Sequence, residues 1–176
     1  GVLILAKTPR SLFGRYQRVL GERLHLLPVL RQRLVEDPLG VDDPHWIEDP
    51  DFALENHLIH AAVPAPHTLR AVAEYAGDLA GRLLDRSRPL WEIHVLDGLA
   101  GGGTVMVVKV HHAAMDGSKL IEMMGVLLDP SARIRAVPAP GAPWIPEHEP
   151  SALWMAADRA LTVAAKPWRV TRSLAE

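Results

Sequence analysis

Residues 91–117, with the sequence WEIHVLDGLAGGGTVMVVKVHHAAMDG, contain the clearest signal for the fold. Two runs rich in β-branched residues, 91–96 and 104–110, are joined by a glycine-rich link from Gly98 to Gly103. A link of this composition between two such runs predicts a β-hairpin. The glycines also suggest a phosphate-binding loop, but such a loop requires a helix directly after it, and here a strand follows. We therefore predict a hairpin and not a phosphate site.

Apolar residues at helical spacing predict three helices around this hairpin. Thr8 and Pro9 are a typical N-cap and first helical residue, and they predict a helix over residues 9–24. Thr68 can cap a second helix, whose apolar stripe comprises Leu69, Val72, Ala76, Leu79 and Leu83. A third helix, over residues 118–128, is apolar nearly all round and is therefore expected to be buried.

The remaining segments are less regular. Residues 2–6 are consistent with a buried strand, and alternation over residues 30–35 is weak evidence for another. Residues 52–63 read as an irregular extended stretch. Turns are expected wherever Asp precedes Pro, because proline restrains its own backbone and that of the residue before it. These pairs are Asp37-Pro38, Asp43-Pro44, Asp49-Pro50 and Asp129-Pro130.

Composition divides the chain into three parts. Residues 1–128 are predicted to form the N-terminal domain of an α/β protein. Six of the 15 prolines lie in residues 129–150, which predicts a semi-rigid linker. Residues 151–176 are predicted to form an amphipathic helix that needs a surface to cover. The sequence starts without Met in an apolar run and ends in a helix without a stop signal, so it is expected to be a piece of a longer protein.

Composition also excludes several classes of function. The chain has 19 Lys and Arg against 21 Asp and Glu, a formal net charge of −2, which argues against a nucleic-acid partner. Because the chain has no cysteine, it has no disulfide, thiolate nucleophile or zinc–cysteine site, which is compatible with a reducing cytoplasm. No stretch approaches the roughly 18 apolar residues of a membrane span, and the start lacks the basic residues of a signal peptide.

The residues that carry chemistry follow the second strand of the hairpin. If that strand continues, His112 extends its apolar face and His111 lies on the opposite face. A histidine at the end of a buried strand, in a low-dielectric cleft, stays neutral near pH 7 and can accept a proton. Asp116 follows after a turn. Its carboxylate could hold that turn through backbone N–H groups or an arginine, or could cap the next helix.

Plainer interpretations of the same residues stay open. The two histidines can be ordinary polar residues at a strand end, and Asp-Gly is a common turn. A metal site of His111, His112 and Asp116 is less well supported, because adjacent strand residues point to opposite faces and no further ligand stands at suitable spacing. A Ser-His-Asp nucleophile is poorly supported as well, because the sequence has no Gly-x-Ser-x-Gly elbow.

These residues resemble the motif of a known family. His111-His112-x-x-x-Asp116-Gly117 is similar to the His-His-x-x-x-Asp-Gly signature of the wax ester synthase/acyl-CoA:diacylglycerol acyltransferases, within the coenzyme-A-dependent acyltransferase superfamily. The segment Arg-Ser-Arg-Pro-Leu-Trp-Glu at residues 86–92 resembles the family's Pro-Leu-Trp segment. Further resemblances follow the family's order, at residues 28–34, 51–57 and 96–99. The resemblance covers residues 1–130, and the family's opening segment and C-terminal half are expected to lie outside this sequence.

The resemblance implies a chloramphenicol-acetyltransferase-like fold, an α+β two-layer sandwich with a mixed sheet that is one half of a two-domain enzyme. It implies acyl transfer from acyl-CoA, as substrate, to the hydroxyl of diacylglycerol or of a long-chain alcohol, with no cofactor and no metal. His112 would be the general base, Asp116 would hold the loop, and His111 would support His112 or be the base instead. The resemblance also implies an active-site tunnel. Trp91 and Pro89 are expected to pack in the core at the wall of this tunnel.

The implied partners are acyl-CoA, the lipid acceptor and the C-terminal half of the same protein, in the same chain or as a separate one. For lipid substrates, peripheral membrane contact is expected through the amphipathic helix predicted over residues 151–176. The implied location is the cytoplasm, with contact at the inner face of the membrane or on lipid droplets. Arg31, Arg33 and Lys109 could contact CoA phosphates, but solvated surface charge is the simpler interpretation. A relative with a non-lipid acceptor and a non-catalytic lipid-binding relative are the alternatives.

Overall fold

The computed structural model describes residues 1–5, 11–36, 44–129, 131, 133–146 and 151. Within these residues the chain forms strands, α-helices and short 3₁₀ helices. The strands are β1 (Val2–Ile4), β2 (Gln32–Val35), β3 (His45–Glu48), β4 (Leu58–Ala62), β5 (Trp91–Asp97) and β6 (Val105–Val110). The α-helices are α1 (Phe13–Arg23), α2 (Leu69–Gly81) and α3 (Gly117–Leu127), and the 3₁₀ helices are Leu24–Leu26, Pro28–Arg31 and Leu54–Asn56.

The predicted hairpin is confirmed and forms the centre of a four-stranded sheet. β5 and β6 pair antiparallel, from Trp91 opposite Val110 to Leu96 opposite Val105. β1 pairs antiparallel with β6, and β4 pairs parallel with β5, which gives the order β1-β6-β5-β4. Because β4 and β5 are parallel, the chain must cross over between them, and α2 lies in that crossover. The mixed sheet with its helices confirms the predicted α/β class.

Glycine makes the tight link between β5 and β6 possible. Gly98, Gly101, Gly102 and Gly103 all have positive φ, between 83° and 112°, a region that other residues rarely adopt. At Gly103 a side chain would also be crowded, because a Cβ there would lie 3.3 Å from the carbonyl oxygen of Leu5. The link therefore reverses the direction of the chain between β5 and β6, as predicted.

Alternate residues of β6 pack into different cores. Met106 and Val108 belong to the larger core, which α1 and α3 contribute to from one face of the sheet. Val105 and Val107 belong to the smaller core on the opposite face, where α2 packs. Both central strands are therefore largely buried on both sides, which explains why β6, with the sequence VMVVKV, is almost continuously apolar.

A second, two-stranded sheet lies beside the larger core. β2 and β3 pair antiparallel, which confirms the weak strand signal in residues 30–35, whereas β3 was not predicted. Trp91 joins this region to the main sheet, because its indole N–H donates to the carbonyl oxygen of Leu30 at 2.7 Å. As predicted, Trp91 and Pro89 are both buried.

The three helices predicted within residues 1–128 are confirmed, but not every boundary is. α1 begins at Phe13, with Leu12 in the N-cap position, and not at residue 9; the predicted Thr8 cap lies outside the described residues. The predicted cap of α2 is confirmed, because the hydroxyl of Thr68 accepts the backbone N–H of Ala71 at 3.3 Å. Residues 52–63 are more regular than predicted, since they contain a 3₁₀ helix and all of β4.

Several residues expected to be buried are exposed. β1 is an edge strand, so Val2 and Ile4 face solvent in the described chain. Leu83 is 96% exposed because α2 ends before it, and Leu69, at the other end of that helix, is exposed as well. α3 packs on one side only, so it buries Met123 and Leu127 but leaves Ile121 75% exposed.

The described part of the proline-rich segment, residues 131 and 133–146, contains no helix or strand. Near its end Trp144 lies against Phe52, with ring centroids 6.5 Å apart, and the guanidinium of Arg31 lies 4.9 Å from the centre of its ring. The predicted helix after residue 151 lies outside the described residues, and the division into domain, linker and helix stays a prediction. None of the described helices is both long enough and apolar enough to cross a bilayer.

Arg23 joins the end of α1 to the end of α3. Its side chain is 1% exposed, and its guanidinium donates to the carbonyl oxygens of Val126 and Arg135, each at 2.9 Å. The same guanidinium binds both carboxylate oxygens of Asp129, at 2.9 and 3.0 Å. The last carbonyls of a helix have no partner within it, so this buried arginine supplies donors that α3 lacks.

We expect Arg23→Ala to lower the free energy of unfolding by about 3 kcal/mol, because the variant leaves buried carbonyls without a donor. Urea unfolding followed by circular dichroism measures this loss. Arg18→Ala is the matched control, because Arg18 is an exposed arginine of the same helix, and its effect should stay within about 0.5 kcal/mol. Equal effects of the two substitutions would contradict the role assigned to Arg23.

Candidate active site

A cleft of about 500 Å³ opens where β6 ends. One wall is the C-terminal half of α2, the floor is β6, and the other side is the loop that leads into α3. The lining is largely apolar, and its polar members include Lys109, His111, His112 and Asp116. All three predicted site residues therefore lie on one cleft.

The chain turns directly after β6. The backbone N–H of His111 donates to the carbonyl oxygen of Leu90 at 2.9 Å, and this bond adds one step to the β5–β6 ladder. The carbonyl oxygen of His111 then accepts the N–H groups of Ala114, at 3.0 Å, and Met115, at 3.3 Å. β6 ends at Val110, as predicted, and a turn begins, so the condition that the strand continues through the two histidines is not met.

The ring of His111 helps to hold this turn. Its Nδ1 accepts the backbone N–H of Ala113 at 3.1 Å. A ring nitrogen that accepts a hydrogen bond carries no proton, so the neutral His111 ring has its proton on Nε2. One of its two nitrogens is therefore committed to the loop.

The ring of His112 lines the cleft and is exposed. No group in the part of the chain that the structure describes forms a hydrogen bond with it. The expectation that the ring lies in a dry, buried position is wrong for the described residues, because the turn carries His112 out of the sheet. Both of its ring nitrogens remain open to a group in the cleft.

Asp116 caps α3, which was one of the predicted alternatives. Its Oδ1 accepts the backbone N–H of Lys119 at 2.9 Å and the hydroxyl of Ser118 at 2.7 Å. These two hydrogen bonds, of which the one from Lys119 has the larger effect, lower the pKa of the Asp116 carboxyl below its ordinary value. The carboxylate thereby fixes the start of α3 four residues after His112.

The three candidate phosphate contacts are all engaged with protein groups. Arg31 is half-buried beside Glu48, with 3.5 Å between the guanidinium and carboxylate atoms, and Arg33 lies 3.4 Å from Asp49. The interpretation of these two as solvated surface charges is wrong, because the small sheet partly buries both. Lys109 lines the cleft, where its Nζ donates to the carbonyl oxygen of Arg82 at the end of α2.

Ser11, His60 and Asp97 come together without forming a catalytic triad. The Nε2 of His60 lies 2.8 Å from Asp97 Oδ2 and 3.5 Å from Ser11 Oγ. A triad needs the carboxylate and the hydroxyl on different ring nitrogens, whereas here both approach the same one. In the part of the chain described, no three His, Asp or Glu side chains are grouped closely enough to hold a metal ion.

The chain is similar to known proteins over most of its length. The family model of the wax ester synthase/diacylglycerol acyltransferase catalytic domain matches residues 3–176. A Mycobacterium tuberculosis protein, provisionally named a diacylglycerol O-acyltransferase, is 37% identical over 135 residues, which cover 77% of this chain and 28% of the relative. Another protein of that organism with a similarly provisional name is 34% identical over 154 residues, 85% of this chain and 55% of the relative.

Solved structures have the same fold. The wax ester synthase/diacylglycerol acyltransferase from Marinobacter aquaeolei VT8 is 29% identical and superimposes with a TM-score of 0.54, over 69% of this chain and 30% of that one. SgcC5 from Streptomyces globisporus, at 20% identity and a TM-score of 0.53, supports the fold alone; it covers 73% of this chain and 30% of its own. The chain belongs to the wax ester synthase/diacylglycerol acyltransferase family. It spans 28% of the length of the first of these relatives.

The cap at Asp116 predicts a pH-dependent stability. The folded-state pKa lies below the ordinary 3.8, so the carboxylate stabilises the fold above that value and loses its effect as pH falls through the lowered pKa. Asp116→Ala should lower the melting temperature at neutral pH, and its difference from the parent should shrink below about pH 4. Asp116→Asn, which keeps an acceptor, should retain most of the stability.

Thermal unfolding at a series of pH values measures both effects. Asp78→Ala is the matched control, because Asp78 is exposed in the middle of α2 and caps no helix. A difference between the parent and Asp116→Ala that stays constant across the acid range would contradict the cap as the cause.

Proposed function

We propose that the cleft transfers an acyl group from acyl-CoA to the hydroxyl of a lipid acceptor. The observation that supports this most directly is the position of His112, on a largely apolar cleft, with a ring that takes no part in holding the turn. The family to which the chain belongs supports the same chemistry.

In this reaction His112 acts as the general base. Its unprotonated ring nitrogen takes the proton of the acceptor hydroxyl as that oxygen attacks the thioester carbonyl carbon. The tetrahedral intermediate collapses with cleavage of the C–S bond, and the imidazolium returns the proton to the leaving CoA thiolate. The products are an ester and CoA, and the histidine ends in its starting state. The step needs no acyl-enzyme, which suits a chain without cysteine.

His111 is the less suitable base. Protonation of its Nδ1 would break the hydrogen bond from Ala113 and disturb the turn that carries both histidines. We therefore assign His111 to positioning the loop and His112 to the proton transfer. Asp116 is a second positioning residue, because its carboxylate accepts hydrogen bonds from the first turn of α3.

The acceptor is proposed to be diacylglycerol or a long-chain alcohol. Apolar residues of α2 and β6 dominate the lining, so burial of an alkyl chain there is favourable, by about 0.8 kcal/mol for each methylene. The only cofactor-like molecule that the reaction needs is acyl-CoA itself, as substrate.

The remainder of the protein is proposed to complete the site. Relatives are longer than this chain, and the cleft is open in the described residues. We propose that a second half covers it and excludes water, which strengthens the electrostatic interactions of the reacting groups. Peripheral contact with a lipid surface from the cytoplasmic side would supply acceptors that dissolve poorly in water.

Replacement of the base tests the proposal. In the full-length protein, His112→Ala should lower kcat for triacylglycerol or wax ester formation at least about 100-fold, because general bases contribute that much or more. Ester formation from radiolabelled acyl-CoA and the release of CoA measure the rate. His25→Ala is the matched control, because His25 lies in a 3₁₀ helix away from the cleft.

Other results have distinct meanings. Undiminished turnover in His112→Ala would remove His112 as the base. Acyl-chain binding without CoA release by the parent protein would indicate a non-catalytic lipid-binding relative. Turnover only with a sugar, a polyketide alcohol or an amine would assign the same fold to a different acceptor.

A further inference from the structure

The wall opposite His112 is the C-terminal half of α2. Ala76, Leu79 and Ala80 line the cleft from this helix, and Leu83 lines it from just beyond the helix end. Ala76 and Ala80 are one helical turn apart and therefore lie on the same side of the helix. Their short side chains leave space beside the histidine loop, so their volume sets the depth available to a chain in the cleft.

Polar contacts hold this wall to the sheet on either side of Ala76 and Ala80. The hydroxyl of Tyr75 donates to Nδ1 of His94 at 2.7 Å, and Nε2 of His94 lies 3.2 Å from Glu92 Oε2. Because a carboxylate only accepts, Nε2 carries the proton and the neutral ring leaves Nδ1 as the acceptor for the Tyr75 hydroxyl. This row of polar side chains was not predicted, although the i, i+2 spacing of Glu92 and His94 in a strand places them on one face.

The second polar contact lies at the end of the helix. Nζ of Lys109 donates to the carbonyl oxygen of Arg82, the C-cap residue of α2. A cation at a helix C-terminus also interacts favourably with the helix dipole. Lys109 lies opposite Glu92 in the β5–β6 register, so both tethers start from adjacent positions of the sheet.

Apolar packing opposes movement of α2 away from the cleft. Val72 and Leu79 of α2 are buried in the smaller core against Val105 and Val107 of β6. A helix held by this core and by two polar tethers cannot move outward to make room for a larger side chain in the cleft. Added volume on this side must therefore shorten the space inside it.

We propose that α2 selects the length of the alkyl chain that lies beside His112, and that Ala76 and Ala80 are its specificity-determining residues. The proposal rests on the proposed acyl transfer for its substrate class. The ligand is an unbranched apolar chain, which the acyl donor and the alcohol acceptor both carry. If α2 served only to cover the core, substitutions on its cleft side would not change how kcat/KM depends on the length of the substrate's alkyl chain.

Ala80→Leu is the decisive variant. Ala80 is exposed in the described chain, so a leucine there fills the cleft without overpacking the core. Each methylene of substrate that is denied burial should reduce kcat/KM about fourfold, so long chains should lose an order of magnitude or more while short chains keep their rate. Leu83→Ala removes a side chain at the mouth of the cleft and should shift the preference the other way, toward longer chains.

Ala73→Leu is the matched control. Ala73 is an exposed alanine of the same helix that does not line the cleft, so the same substitution there should leave the length profile unchanged. Circular dichroism and melting temperature establish that each full-length variant is folded. One series varies the acyl-CoA at a fixed alcohol, and the other varies the alcohol at a fixed acyl-CoA. The series in which Ala80→Leu changes the preferred length shows whether the alkyl chain of the acyl donor or that of the alcohol contacts α2.

A binding measurement separates this proposal from the proposed function. The shift in melting temperature produced by fatty alcohols of graded length reports occupancy of the cleft without turnover. Suppose that the parent protein does not turn over acyl-CoA, but that Ala80→Leu still reduces the melting-temperature shift produced by long alcohols and not by short ones. The acyl-transfer proposal then fails, and the role of α2 stands. If turnover is present and Ala80→Leu matches Ala73→Leu in both profiles, the role of α2 is overturned.

Discussion

The backbone ladder between β5 and β6 is the constraint on which the cleft depends. Its last hydrogen bond lies just beyond the strands, where the N–H of His111 donates to the carbonyl oxygen of Leu90. Both strands are buried on their two faces, so water does not compete for the bonds of this ladder. The position of the His111 backbone is therefore tied to the core, although the residue itself is exposed. The histidine pair stands at the cleft because the ladder ends there.

Charged side chains bind the backbone at both ends of α3. The helix buries Met123 and Leu127 and leaves most of its other residues at least partly exposed. Asp116 supplies an acceptor to the first turn, and Arg23 supplies donors to the last. Since each end of a helix leaves four backbone groups without internal partners, these two side chains act where the helix is weakest. The loop between β6 and α3 is thereby bounded by the ladder on one side and by the Asp116 cap on the other.

Local sequence signals predicted the elements well, and tertiary context decided the rest. The glycine-rich link between β-branched runs defined the hairpin, and Thr68 defined the start of α2, because both signals act through neighbouring backbone. Burial was harder to predict. The apolar residues of α3 are compatible with burial on every side, and the positions of α1 and the sheet determine which of them are covered. β3 has the sequence HWIE, in which apolar and polar residues do not alternate, so no strand periodicity marks it.

The sequence predicted which residues form the candidate site, but not how their side chains are arranged. The motif placed His111, His112 and Asp116 together, and the structure brings all three to one cleft. The alternation of a strand suggested opposite faces for the two histidines, and the hydrogen bonds of the turn overrode it. The polar chain from Tyr75 through His94 to Glu92 joins two elements, so the local i, i+2 spacing could reveal only the pair of Glu92 and His94.

The turn also explains why two adjacent histidines are useful. In a strand, neighbouring side chains point apart, and only one of the pair could face a substrate. In the turn, His111 gives one ring nitrogen to the N–H of Ala113 and holds the loop, which leaves the ring of His112 without a structural task. A base must change protonation state twice in each proposed catalytic cycle, and a ring that also held the loop would break its own support each time. In the proposed reaction, this division of roles between the two rings would keep the loop intact while His112 accepts and returns a proton.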